Sequence, residues 1–179
     1  MKKTLLILTL LFTYTGFAQE KLTTNKGIIT FEASVPFFEN VEAKNETVSC
    51  VLNLKKSSLS FVVYIDMFQF ERSLMQEHFN ANYLESKKYP KATFKGIIEK
   101  FDIINLDTSD NIYYINGKLT IHGKSKNIRV SSKIKKMENQ VKIHSTFTLN
   151  TDDFNIEIPF IVRNKISKTV SVTVDSVLH

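Results

Sequence analysis

The chain has one cysteine, Cys50, in 179 residues, so no intramolecular disulfide braces it and the fold must be held by packing and hydrogen bonds. Cys50 sits in an alternating pattern and reads as a small buried hydrophobe rather than a reactive thiol. Beyond the N-terminus, no apolar run approaches the roughly 20 residues a membrane-spanning helix needs. Nucleophile elbow, phosphate-binding loop and dinucleotide fingerprint are all missing. There are only four histidines, and none pairs with another at zinc-motif spacing. His179 is terminal, and His144 has lysine and threonine for face-mates. Asp152, Asp153 and Glu157 lie close in sequence, but the first two fit first-turn acids at a helix N-terminus better than a carboxylate pair across a cleft. We therefore expect no catalytic residues, no metal ligands and no cofactor. The formal charge is +6, yet the lysines are scattered along alternating positions, which leaves no concentrated patch for nucleic acid.

What is there begins with MKKTLLILTLLFTYTGFAQE: two lysines, an apolar run from Leu5 to Phe12, and a small-residue site at Gly16 to Ala18. This is the pattern of a cleaved secretory signal over residues 1–18. A lipoprotein would need a cysteine at the cleavage point, and Cys50 is far downstream. The expected product is a periplasmic or secreted protein without a membrane anchor. Residues 19–179 suit one domain with a single core.

Two-residue alternation dominates that domain. Ile29, Phe31, Ala33 and Val35 share a face until Pro36 stops the strand. Val48, Cys50, Leu52 and Leu54 share the next, and Leu59, Phe61, Val63 and Ile65 the third. Ala92, Phe94, Gly96 and Ile98 follow, then Ile112 to His122, where Gly117 marks a bend or close packing. His122-Gly123-Lys124 is a tight reversal. Ile128 to Ile134, Val141 to Leu149 and Ile166 to Leu178 complete about eight strands. Two helical pieces interrupt them. Ser73 and Gln76 stand at capping-box spacing, predicting a helix from Leu74 that presents Leu74, Met75, His78, Phe79 and Tyr83 on one side and ends before Tyr89-Pro90. Asn150 or Thr151 caps one further helical turn. One-sided strands with short turns and no βαβ rhythm predict an all-β, antiparallel barrel or sandwich. We favour an eight-stranded barrel, because closure removes sheet edges.

HFNANYLESKKYPKATFKG, followed by GKLTIHGKSKNI, resembles the YceI-like family of secreted bacterial proteins. The likeness extends from the Gly27 to Phe31 opening to the closing strand at Leu178. It implies an elongated lipocalin-like barrel and a non-enzymatic carrier for a long apolar lipid, an isoprenoid or a quinone. Composition alone leaves two readings open: the phenylalanines fill a solid core, or they line a dry tunnel that shields hydrocarbon without presenting unpaired polar groups. The resemblance favours the tunnel. On that reading Phe31, Phe61, Val63, Phe94, Ile98, Leu119, Ile143 and Phe147 line the bore. Leu74, Met75 and Phe79 close one end, Phe154, Ile158 and Phe160 flank the mouth, and His78 and His122 meet a lipid head group. The partner is an apolar lipid. A filled barrel acting through its surface is the alternative, a lipid-processing enzyme a third reading. The oligomeric state, homodimer included, stays open.

Overall fold

The computed structural model describes residues 20–179; the expected signal at 1–18 lies outside them. Nine antiparallel strands follow in order: β1 (Lys21–Ser34), β2 (Glu42–Asn53), β3 (Ser58–Tyr64), a two-residue β4 (Gln69–Phe70), β5 (Lys91–Ile98), β6 (Asn111–Ile121), β7 (Lys124–Met137), β8 (Gln140–Asn150) and β9 (Ile166–Leu178). The eight long strands run β1-β9-β8-β7-β6-β5-β3-β2, and β2 pairs back onto β1, closing the barrel. Closure leaves no edge for another chain to extend. β4 adds a short rung on β2, Phe70 opposite Ala43.

Several strands exceed their sequence-expected length, and polar residues account for it. β1 begins at Lys21 and β2 at Glu42, well before the apolar alternation. In KLTTNK the inward residues are Leu22 and Thr24, and in EAKNET they are Ala43 and Asn45. Asn45 is fully buried. Its amide donates to the Tyr64 carbonyl (2.9 Å), and its Oδ1 accepts from the Thr47 N–H and hydroxyl (2.9 and 3.0 Å), so burial leaves neither end of the group unpaired.

The helix, α1 (Ser73–His78), starts one residue before Leu74. Its N-cap is Arg72 and carries no side-chain cap bond. The expected capping box is replaced by a longer reach: Gln76 Oε1 accepts from the Phe70 N–H (3.3 Å). α1 widens directly into a π-helical turn, Phe79–Tyr83, with Leu84 N donating to Phe79 O (2.9 Å). The Asn80 side-chain amide donates to the Gln76 carbonyl (2.9 Å), competing with the regular ladder at that step. Among the described residues four 3-10 turns complete the helical content, Ile65–Met67, Ile103–Asn105, Thr151–Phe154 and Phe160–Val162. The third is the expected one: Asn150 Oδ1 accepts from the Asp152 N–H (2.9 Å). His122 and Gly123 form a two-residue hairpin loop with φ of +49° and +71°, the left-handed pair that type I′ geometry demands.

The two ends of the barrel differ. At the base, Leu52, Ile98, Phe101, Leu106, Ile134, Val141 and Leu178 are all buried in one cluster, with Phe101 edge-on to Tyr113 at 5.5 Å. At the rim lie the β1–β2 connection, the β3–β5 excursion carrying α1, the His122-Gly123 turn and the long β8–β9 connection. Among the described residues no helix is long and apolar enough to cross a membrane.

Candidate functional site

Alternation points every second residue of each strand into the barrel, and toward the rim those residues fail to fill it. A cavity of about 600 Å³ remains, within the roughly 300–1,000 Å³ typical of small-molecule sites. Its wall takes Phe61 and Val63 from β3, Phe94 from β5, Leu119 from β6, Val130 from β7, Ile143 and Phe147 from β8, and Val172 from β9. The wall polar groups are few: Tyr83, Thr93, Ser132, Ser145, Asn150, Thr151 and Ser167. Ser145 donates to the Ser131 carbonyl (2.8 Å), whereas the buried Ser132 hydroxyl has no partner. The charged lining groups, Glu39, Arg72 and Lys165, stand on rim connections together with His78. Glu39 and Arg72 form an ion pair (2.5 Å). A space this dry favours hydrocarbon, each methylene being worth roughly 0.8 kcal/mol when it leaves water.

One side of the mouth is closed by a group of four phenylalanines. Phe79, at the start of the π turn, stacks on Phe31 with ring centres 5.4 Å apart and lies 5.0 Å from Phe70 and 5.7 Å from Phe68. Phe31 also meets Phe68 and Phe70 edge-on (5.3 and 5.8 Å). The widened turn thus rests on aromatic rings, as an apolar plug must.

Of the residues expected on sequence grounds, Phe31, Phe61, Val63, Leu74, Met75, Phe79, Phe94, Leu119, Ile143, Phe147, Phe154 and Ile158 line the cavity, and so does His78 at its rim. Three do not. Ile98 shares a face with Phe94 but sits two rungs nearer the base, buried in the solid cluster. Phe160 is 85% exposed, because the turn after Pro159 rotates it outward and presents Val162 to the cavity instead. His122 is outside the cavity. Its Nε2 lies 2.8 Å from Glu85 Oε2 and its Nδ1 3.2 Å from the Phe154 carbonyl, with Tyr89 edge-on at 4.6 Å. It pins the helix exit to two rim turns.

Sequence reasoning set Tyr83 on the helix's inner side without assigning it to the cavity, and missed Phe68, Phe70 and Leu84. They fall in or beside the helical excursion, where two-residue alternation carries no signal. Burial raises the Tyr83 phenol above its ordinary pKa, which keeps it neutral. Cys50 is fully buried and desolvation pushes its thiol far above the ordinary range, so it packs as a hydrophobe. Among the described residues no group of three His, Cys, Asp or Glu side chains is placed to hold a metal ion.

A closed eight-stranded antiparallel barrel with an apolar hollow open toward one rim is a lipocalin-like architecture. The particular family follows from the sequence: the YceI-like domain matches residues 21–178, and the chain belongs to that family. Solved structures share the fold at low identity. A polyisoprenoid-binding domain from Saccharophagus degradans, implicated in plant cell wall breakdown, superposes with a TM-score of 0.79 at 13% identity, covering 89% of this chain and 98% of that one. BcnA of Burkholderia cenocepacia gives 0.70 at 17% identity over 86% and 96%. The YCEI protein of Campylobacter jejuni gives 0.63 at 20% identity over 79% and 86%. No curated protein matches in sequence.

Proposed function

We propose that this protein is a periplasmic or secreted carrier that holds one long apolar lipid, of the polyisoprenoid type, in its barrel without transforming it. The observation that carries this reading is the hollow itself: an almost wholly apolar cavity of about 600 Å³, walled by strand residues and stoppered at one side of its mouth by stacked phenylalanines. A ligand here gains from hydrocarbon burial and meets few groups that demand hydrogen bonds. The polyisoprenoid-binding domain with the same fold supports the lipid class. The leader-like sequence of residues 1–18 supports export. The base of the barrel is solid and the rim half is hollow, so the chain enters from the rim.

Organic extraction and mass spectrometry of the protein purified from its own cells tests the proposal. One intact apolar lipid per chain is the expected result. Repeated recovery of lipid-free protein that also fails to take up an added polyprenol overturns carriage, and conversion of that polyprenol to a new product assigns catalysis instead.

A further inference from the structure

Among the described residues the most exposed large apolar side chains are Phe37 (106%), Ile104 (87%), Phe160 (85%) and Ile161 (83%). Three of the four sit at the rim, on the two connections that border the mouth. Each connection anchors itself in the cavity and turns an apolar neighbour outward. Phe38 lines the cavity while Phe37, next to it, projects into solvent. Ile158 and Val162 line it while Phe160 and Ile161 project. These projections are fixed by local structure. Phe37 has φ of +70°, a left-handed backbone that is unfavourable for a bulky side chain, and its turn is closed by Phe38 N donating to Val35 O (3.1 Å). The Phe160–Val162 turn is closed by Val162 N to Pro159 O (3.0 Å) and extended by Lys165 N to Val162 O (2.9 Å). Arg163 follows it, its guanidinium 5.6 Å from the Phe160 ring and its Nε donating to the Ile158 carbonyl (3.3 Å). Lys165 completes the rim.

Separate apolar tips, the one on the β8–β9 connection flanked by Arg163 and Lys165, on loops around an apolar opening, are poorly shaped for a protein partner, which needs a continuous surface. They suit a bilayer, where aromatic and aliphatic side chains enter the headgroup boundary and cations stay at phosphate level. We propose that the rim docks on an anionic phospholipid bilayer through Phe37, Phe160 and Ile161, with Arg163 and Lys165 against the phosphates, so that an apolar ligand passes between membrane and bore without crossing water. The purpose of docking rests on the carrier reading; docking itself is measured without ligand.

Flotation with vesicles of phosphatidylcholine containing phosphatidylglycerol provides the test. Wild type is expected to float with the vesicles, and the combined Phe37→Ser, Phe160→Ser, Ile161→Ser variant to lose about tenfold or more in partitioning, in line with the apolar area withdrawn. Ile104→Ser, which removes an equally exposed side chain at the opposite end, is expected to float like wild type. Arg163→Gln with Lys165→Gln is expected to weaken binding to the anionic vesicles only, and less so at high salt. Wild type remaining in solution, or a triple variant that still floats, overturns the proposal. So does concentration-dependent self-association in ultracentrifugation that the triple variant abolishes while vesicles bind neither protein, since the rim would then join copies of the chain. Loading with a polyprenol is measured on the same proteins. Floating without loading overturns carriage and leaves docking standing, whereas loading without floating does the reverse.

Discussion

Phe94 rests its ring against Gly117, the residue diagonal to it across the β5–β6 ladder. A methyl group at Gly117 would overlap the ring at Cζ and Cε2, and one at the facing Gly96 would come within 2.8 Å of Cζ. The glycine pair is a trough in the inner wall, and the ring lying in it is kept from standing across the bore. Gly117→Ala is expected to destabilise the protein by about 1–3 kcal/mol through overpacking and to reduce lipid loading. Adding Phe94→Leu should recover part of both, the Lys95 carbonyl 2.7 Å from that methyl staying in place, a non-additivity expected of touching residues. Chemical denaturation and polyprenol loading of the two variants and their combination check it; strictly additive effects would count against the trough.

Phe79 is the keystone of the four-ring group at the mouth. Phe79→Ala removes contacts with Phe31, Phe68 and Phe70 at once, and should cost about 2 kcal/mol, less than a fully buried phenylalanine because the site is only partly buried. It also unseats the plug, so release of a bound fluorescent lipid should be faster. Leu74→Ala, at an exposed rim position, should leave stability within about 0.5 kcal/mol.

The two histidines expected at a lipid head group stand in different surroundings, His78 at the cavity rim and His122 outside the cavity. His122→Ala severs a link between Glu85 and the Phe154 carbonyl and is expected to lower stability by about 1–2 kcal/mol with lipid loading retained in the folded fraction. His78→Ala, on the exposed helix face at the rim, should leave the denaturation midpoint unchanged. If it also leaves lipid retention unchanged, the head group is not read by His78.

On the outer wall, Glu99 accepts from Arg129 (2.9 and 3.0 Å) and from the Asn116 amide, and Arg129 stacks over Tyr114 at 3.7 Å. The Arg129 hydrogen bonds are the chief cause that holds the Glu99 carboxyl below its ordinary pKa. A carboxyl depressed by folding adds stability above its unfolded-state pKa and loses it as pH falls through the folded value. NMR titration should therefore place Glu99 below the usual carboxylate range, and Arg129→Gln should return it toward that range. Because the pair is exposed, the shift should shrink with added salt.

Much of the barrel is legible in the sequence because its inner and outer faces differ so plainly. Val141, Ile143, Ser145 and Phe147 against Lys142, His144 and Thr146 could only be a strand wet on one side. The same rule hides what depends on depth or on polar satisfaction. Alternation gives Ile98 and Phe94 the same face but does not say which of them stands in the solid base. Asn45 belongs inside despite its amide, since Tyr64 and Thr47, distant and adjacent in sequence, satisfy it. Phe160 continues an every-second-residue pattern with Ile156 and Ile158, yet the turn after Pro159 breaks the period and faces it outward. The aromatic plug is half visible: alternation puts Phe31 in the bore wall and the helix brings Phe79 to the closing end, while Phe68 and Phe70 lie in a stretch where strand and helix periods meet.

Native mass spectrometry of the intact protein, after incubation with one equivalent of a long polyprenol, tests the hollow-barrel account most directly when wild type is set beside Val130→Trp, which puts an indole into the bore from β7. A mass increment of one lipid on wild type, and bare protein for a folded Val130→Trp, is the predicted result. Equal lipid on both proteins, or on neither, would contradict it.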